Sequence, residues 1–169
     1  SSGASIDIAK EKLRWEKWGE YRKWGVSELV RDVYRRAKQV KPRAEATAAV
    51  FTPLASADAA FQDWPRWIRE GTIDYVIPMA YTPKNEQLAK QLREWTTVDP
   101  RLERVIPGLG IFSSTKVHES YTPRDVSLIM AQYRMCMEMG ARGTCFYSLD
   151  GTAAHPTPLL TEPLIEALC

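Results

Sequence analysis

Acidic side chains that follow apolar segments are the first candidates for chemistry in this sequence. Two carboxyl groups can divide acid and base work between them, one donating a proton while the other accepts one. Asp63 stands out because Gln62 and Trp64 flank it, and an amide and an aromatic ring line sugar sites through hydrogen bonds and stacking. The order Asp-Trp-Pro is equally typical of a helix N-cap, and the two interpretations are compatible. The remaining acids in comparable positions are Asp58, Glu86, Glu119 and Asp150, of which Asp150 is the second, weaker catalytic candidate.

Aromatic and thioether side chains close the same apolar segments. Met79 and Tyr81 end the second segment and share one side of a strand, because side chains alternate along a strand. Met79 is more typical of a core, whereas Tyr81 fits a cleft and a core equally well. We therefore predict a substrate-binding surface that draws on Gln62, Asp63, Trp64, Met79, Tyr81, Phe112 and Tyr147.

The sequence gives little evidence for a metal site, a nucleotide site or a site for another cofactor. His118 and His155 stand alone, with no other ligand type at metal spacing, so no metal site is predicted. The glycines of Gly108-Leu109-Gly110 lack the full G-x-G-x-x-G pattern and do not open a helix. We expect no cofactor. Asp74, at the start of its segment, is predicted to pair with backbone or a basic neighbour.

Length and charge narrow the class of protein. The chain has 169 residues, about one domain, and 23 basic against 21 acidic side chains give a net charge of +2. A net charge this close to zero does not indicate binding to nucleic acid, and no apolar run is long enough for membrane insertion. The first ten residues lack the basic and apolar regions of a signal peptide. The spacing of the cysteines excludes a zinc knuckle or disulfide framework, and two of the three, Cys136 and Cys145, are predicted to be buried.

Helical and strand patterns alternate along the chain. The apolar positions of residues 26–40 repeat with a helical period, and apolar segments predict strands over 44–51, 73–81, 104–112 and 143–149. Helices are expected around Leu88 to Trp95, over 123–139 with Thr122 as the N-cap, and over Glu162–Leu168. Strands that are apolar throughout and separated by helices predict an α/β fold with a parallel sheet. Residues 1–25, rich in Trp and interrupted by two glycines, are predicted to form an irregular lead-in to a domain over 26–169.

One passage resembles a known family. Residues 61–81, FQDWPRWIREGTIDYVIPMAY, resemble the stretch QDW..W..EG.iD.v.PM.Y of the family-10-like (DUF187) group of glycoside-hydrolase-like proteins, which are (β/α)8 barrels from bacterial envelopes. Residues 22–42 and 46–51 are similar to the helix and fifth strand of that barrel. PGLGIF at 107–112 and G..FYSL at 143–149 are similar to its seventh and eighth strands. The resemblance implies that residues 14–168 form the C-terminal half of a TIM barrel.

The resemblance also sets expectations about function. It implies a glycoside hydrolase that acts on a polysaccharide or oligosaccharide in the cell envelope or outside the cell. The fourth strand of the family ends in an acidic pair that this sequence lacks, so we expect the main catalytic acids to lie outside it and the chain alone to be inactive. Its strand edges would need the missing half-barrel or self-association. Two alternatives stay open: a non-catalytic barrel that binds glycan or peptidoglycan, and a small doubly wound α/β binding domain, which a reversal of strand order would reveal.

Overall fold

The computed structural model describes residues 8–115, 120–148 and 162–168. Helices and strands alternate through this part of the chain. Its helices are α1 (Ile8–Val40), α2 (Leu54–Ala59), α3 (Trp64–Glu70), α4 (Asn85–Trp95), α5 (Val126–Glu138) and α6 (Glu162–Leu168). Its strands are β1 (Thr47–Val50), β2 (Tyr75–Ala80), β3 (Gly108–Gly110), β4 (Phe112–Thr115), β5 (Ser120–Pro123) and β6 (Cys145–Tyr147). Asp150, Glu119, His118 and His155 lie outside the described residues.

Four strands form one parallel sheet in the order β1-β2-β3-β6. Each of the four comes from one of the four apolar segments, so the predicted α/β class and the predicted order of neighbours are confirmed. The doubly wound alternative required a reversal of order at a switch point, and these strands contain none. The sheet is that of consecutive β–α units in part of a barrel.

The third apolar segment, residues 104–112, does not form one strand as predicted. Gly108–Gly110 form β3 of the parallel sheet, and Val105 makes a single parallel bridge to Val76. The strands β4 and β5 form a separate antiparallel hairpin in which Phe112 pairs with Pro123. The hairpin takes up residues predicted to begin helix α5. That helix therefore starts later, with Asp125 rather than Thr122 as its N-cap, and the Asp125 carboxylate accepts from the backbone N–H of Ser127 at 2.7 Å.

Residues 8–25 are not irregular as predicted, because they belong to one continuous helix over 8–40. Gly19 and Gly25 lie inside α1 without breaking it, since a single glycine costs a helix interior only about 1 kcal/mol. Two contacts fix this part of α1 on α2 and on the loop that follows α2. Lys23 pairs with Asp58 at 2.6 Å, and the guanidinium of Arg22 lies 4.0 Å from the centre of the Phe61 ring. No helix of the described residues is both long and apolar enough to cross a bilayer.

The sheet buries one face and leaves the other open. Alternate strand residues such as Val50, Val76 and Leu109 are fully buried and belong to a core with helix residues that include Leu88, Leu92 and Trp95. The intervening residues carry the open face, where Phe51 and Tyr147 are each 48% exposed. Cys136 is buried as predicted, but the prediction for Cys145 is wrong, because this thiol is exposed on the open face.

Candidate functional site

Three aromatic rings meet at the carboxyl ends of the parallel strands. Tyr81 follows β2 and Tyr147 ends β6, and their rings stack with centroids 5.0 Å apart at 13°. Phe112 leans on Tyr147 with centroids 5.9 Å apart at 59°. We call these three residues the aromatic cluster. All three were predicted from the sequence as substrate-binding residues, and the structure brings them together.

Gly110 makes the stacking of the two tyrosines possible. It pairs with Tyr147 in the sheet, and it lies beside Tyr81 because Ala80 pairs with Leu109. The tyrosines therefore come from strands on either side of β3. A Cβ atom on Gly110 would lie 3.2 Å from the Cβ of Tyr81, so the missing side chain leaves the room in which the rings meet.

Arg124 holds the backbone under the aromatic cluster, a role that is not predicted from the sequence. Its Nη1 donates to the carbonyls of Thr82 and Gly110 at 3.0 and 2.8 Å, and its Nη2 donates to the carbonyl of Tyr81 at 2.9 Å. The side chain is buried, which lowers the pKa of the guanidinium. The signal that could have identified it is its place just before a helix, where the helix dipole disfavours a positive charge.

Tyr81 keeps its proton at neutral pH. Burial, followed by the neighbouring Cys145 and Tyr147, raises the pKa of its phenol above the ordinary value. A neutral phenol can both donate and accept a hydrogen bond, while its ring offers an apolar surface. Together with the half-exposed Tyr147, it can receive one face of a sugar ring and bond to a hydroxyl group.

An open depression of about 360 Å³ adjoins Tyr81 at this edge. Its lining includes Met79, which is half-buried on the open face of the sheet rather than in the core. The depression lies between the ends of β1 and β2 and the start of α4. It is lined by Thr52, Met79, Tyr81, Thr82, Pro83, Gln87 and Gln91.

The motif Gln62-Asp63-Trp64 is used largely for structure. Gln62 Oε1 accepts from the backbone N–H of Phe51 at 2.7 Å. The N-cap interpretation of Asp63 is confirmed, because its carboxylate accepts from the backbone N–H of Arg66 at 3.3 Å. Trp64 is 0% exposed and belongs to the core, so the prediction that its ring lines a sugar site is wrong. The sequence could not reveal this, because Trp64 begins a helix whose apolar face packs on the sheet.

Three of the described carboxyl groups that follow the strands have backbone or ionic partners, whereas Glu86, in the first turn of α4, is exposed and has no hydrogen bond or ion pair among the described residues. Asp58 pairs with Lys23, and Asp63 and Asp125 cap helices. A hydrogen bond from the side chain of Ser127, and then those from the backbone of residues 127 and 128, lower the pKa of Asp125. A general acid instead needs a pKa raised toward neutrality. Among the described residues, no three side chains of His, Cys, Asp or Glu gather as a metal site.

Asp74 lies at the opposite, amino edge of the sheet, as predicted. Its carboxylate pairs with Lys38 at 2.8 Å and accepts from the backbone N–H of Ala46 at 2.7 Å and from Tyr34 Oη at 3.1 Å. Burial acts to raise the pKa of Asp74, but these hydrogen bonds outweigh it and hold the pKa below its usual value. The predicted structural role of Asp74 is confirmed.

The chain is similar to the proteins of one known family. The family model for glycosyl hydrolase-like 10 proteins matches residues 4–119, more than half of the chain. The match includes β1, β2, β3 and the motif around Asp63, and it ends before β6. No curated protein matches the chain.

Proposed function

Since the chain belongs to the glycosyl hydrolase-like 10 family, we propose that it is part of a carbohydrate-active (β/α)8 barrel. A polysaccharide or oligosaccharide substrate binds at the carboxyl edge of the sheet. The observation that carries the proposal is the stack of the partly buried Tyr81 on the half-exposed Tyr147, at the edge where barrel enzymes place their active sites. By analogy with the resembling group, the protein works in the cell envelope or outside the cell.

The chain supplies sugar binding, and the main catalytic acids come from elsewhere. Cleavage of a glycosidic bond uses two carboxyl groups about 5–9.5 Å apart, one of them protonated. Asp58, Asp63 and Asp125 serve as ion-pair partners or helix caps, and Glu86 is a single exposed acid on α4. The end of β3 reads Gly110-Ile111-Phe112 without an acid. The 169-residue chain by itself therefore does not hydrolyse glycosides.

The open face and both edges of the sheet are covered by further strands of a barrel. Helix α1, which packs on α3, exposes Leu29, Val33 and Val40, and α6, which packs on α5, exposes Ile165 and Leu168. Apolar surface of this kind marks an interface. The missing strands belong to a longer protein or a partner chain, or a second copy replaces them. In sedimentation the isolated chain should self-associate; a stable monomer with no longer parent protein contradicts this part of the proposal.

Sugar titration with matched tyrosine variants tests the proposal. Tyr147→Ala should weaken binding of a neutral tetrasaccharide about tenfold, because one stacked ring contributes about 1.4 kcal/mol. Tyr147→Phe should retain most of the affinity. Tyr21→Ala removes an exposed ring from α1 and should have no effect.

The outcome also separates catalysis from binding alone. Unchanged affinity in Tyr147→Ala contradicts the proposed site. Turnover by the isolated chain contradicts the division of roles between the chain and the missing half. Sugar binding by the complete barrel without any hydrolysis favours the non-catalytic alternative, a protein that binds glycan or peptidoglycan through its aromatic cluster.

A further inference from the structure

Two buried side-chain oxygens without a partner line the same depression at the carboxyl edge. Gln91 is only 6% exposed, and neither its Oε1 nor the Oγ1 of Thr52 has a hydrogen-bond partner among the described residues. Gln91 belongs to α4 and Thr52 follows β1, so they come from different β–α units. Unpaired buried polar atoms destabilise a fold, and two of them beside one opening point to a ligand that supplies the missing bonds.

The lining of the depression fits a neutral ligand. None of its residues is charged: Thr52, Gln87 and Gln91 are polar, and Met79 and Tyr81 offer apolar surface. Its volume of about 360 Å³ lies in the usual range of ligand sites, roughly 300–1,000 Å³. The carbonyl oxygen of an amide accepts hydrogen bonds and cannot donate them. A ligand carboxylate would lose part of its hydration here without a cation among the lining residues to pair with it, whereas a ligand hydroxyl can donate to the Gln91 oxygen.

We infer that this depression is a subsite for a neutral, hydroxyl-bearing sugar ring and that it selects uncharged sugars over uronic acids. Ligand hydroxyls bond to Gln91 and Thr52, while Met79 and Tyr81 pack against the ring carbons. Tyr81 borders both the depression and the aromatic cluster, so the two could hold adjacent rings of one chain. The inference rests on the proposed function and names its substrate class.

Binding requires a small rotation of the two side chains. Both oxygens are closed off from water in the unliganded chain. The terminal torsion of glutamine has a broad energy minimum, and the χ1 rotamers of threonine place its oxygen in different directions. Rotation of these side chains turns the two oxygens toward the opening.

Trp95 supplies the competing explanation. It lies one helical turn after Gln91, and its Nε1 is also buried without a partner among the described residues. If this indole N–H bonded to the Gln91 carbonyl in solution, the oxygen would have no need of a ligand. Thermal stability separates the two cases, because removal of an unpaired buried polar group is neutral or stabilising, whereas removal of a paired one is destabilising.

The test is calorimetric titration of the 169-residue chain with four probes. Three are neutral tetrasaccharides, of glucose, xylose and N-acetylglucosamine, and the fourth is tetragalacturonic acid. At least one neutral probe should bind tenfold more tightly than the acidic probe. Gln91→Leu should weaken that binding about tenfold, the loss of one hydrogen bond, with an equal or higher melting temperature. Gln39→Leu, an exposed glutamine on α1, is the matched control and should leave affinity unchanged.

The outcomes distinguish this subsite from the proposed function. Unchanged affinity in Gln91→Leu, or a lower melting temperature, overturns the subsite, and the proposed function still stands if Tyr147→Ala has lost affinity. Equal or tighter binding of tetragalacturonic acid also overturns the subsite. Loss of affinity in Gln91→Leu but not in Tyr147→Ala supports the subsite and contradicts the aromatic cluster. Failure of every neutral probe to bind overturns both.

Discussion

Arg124 is a buried cation whose described partners are carbonyl oxygens. It bonds to the carbonyls of Tyr81, Thr82 and Gly110, the backbone on which the aromatic cluster is built. Arg104 also bridges several backbone carbonyls, at the amino edge of the sheet, where it donates to those of Ile68, Ile73 and Asp74. The rigid fork of donors on a guanidinium suits this bridging of several carbonyls. Both ends of β2 are thus fixed by an arginine.

Replacing Arg124 should disturb both stability and sugar binding. Arg124→Met leaves the carbonyls of Tyr81 and Gly110 without their donor, and the free energy of unfolding should fall by about 2 kcal/mol. Urea denaturation measures the loss, and sugar titration should show weaker binding because Tyr81 is no longer held. Arg134→Met, on the exposed side of α5, is the control and should change neither. Equal stability of Arg124→Met and the unaltered chain would rule out this positioning role.

Asp63 should act on binding rather than on the chemical step. In the complete barrel, Asp63→Ala removes a helix cap worth about 1 kcal/mol and loosens the loop after β1. Steady-state kinetics should show KM raised more than kcat is lowered. A thousandfold fall in kcat at unchanged KM would instead make Asp63 a catalytic residue.

Asp74 should make stability depend on pH in the acid range. Its pKa is lowered in the folded chain, so it stabilises the fold at neutral pH, and this contribution is lost as the pH falls below 3.8. Asp74→Asn should lower the free energy of unfolding at pH 7 by about 2 kcal/mol, and the difference should shrink in acid. Asp32→Asn, at an exposed ion pair with Arg35, should show little effect at either pH. A difference that stays constant down to pH 3 would contradict the assignment.

At the scale of elements, β3 depends on having glycines where its neighbours approach. A Cβ on Gly108 would lie 2.9 Å from the carbonyl oxygen of Pro78, a backbone atom that cannot move aside on its own. Gly108→Ala should therefore destabilise the chain by about 1–3 kcal/mol in urea denaturation. Gly143→Ala is the matched control, because its Cβ would meet no atom within 4 Å. Equal stability of the two variants would contradict the close approach of β2 and β3.

The sequence predicts the central elements because their apolar patterns are local. The strand order, the start of α6 at Glu162 and the C-terminal stop of α5 at Gly140, which has a φ of 98°, all follow from such patterns. The β4–β5 hairpin is missed because its pairing joins polar segments that carry no periodic signal. The N-terminal half of helix α1 is not predicted as regular, because Gly19 and Gly25 suggest breaks. The contacts that stabilise it come from Asp58 and Phe61, which are distant in the sequence.

The candidate site is predictable only in part for the same reason. Tyr81, Phe112 and Tyr147 lie at or just beyond the carboxyl ends of β2, β3 and β6, which are neighbours in the sheet, so their positions along the chain suffice to group them. The burial of Trp64 and the bonds of Arg124 depend on how helices pack on the sheet, which the sequence pattern does not encode.

At the scale of the whole molecule, the described sheet is covered on one side. Its helices bury one face, and Phe51, Cys145 and Tyr147 remain accessible on the other, where a closed barrel would place its interior. The aromatic cluster lies at the carboxyl rim of this open face. A complete barrel would therefore surround the cluster with further strand ends, and these are where our account places the missing acids.

The most direct test of the account is to map a bound sugar by NMR. The 169-residue chain is titrated with the neutral tetrasaccharide that binds best, and the shifts of aromatic and backbone signals are followed. We predict the largest changes at Tyr81, Phe112 and Tyr147. Changes confined to the exposed rings of α1, such as Trp15 and Trp18, with the aromatic cluster unaffected, would contradict the claim that the carboxyl edge of this sheet binds the sugar.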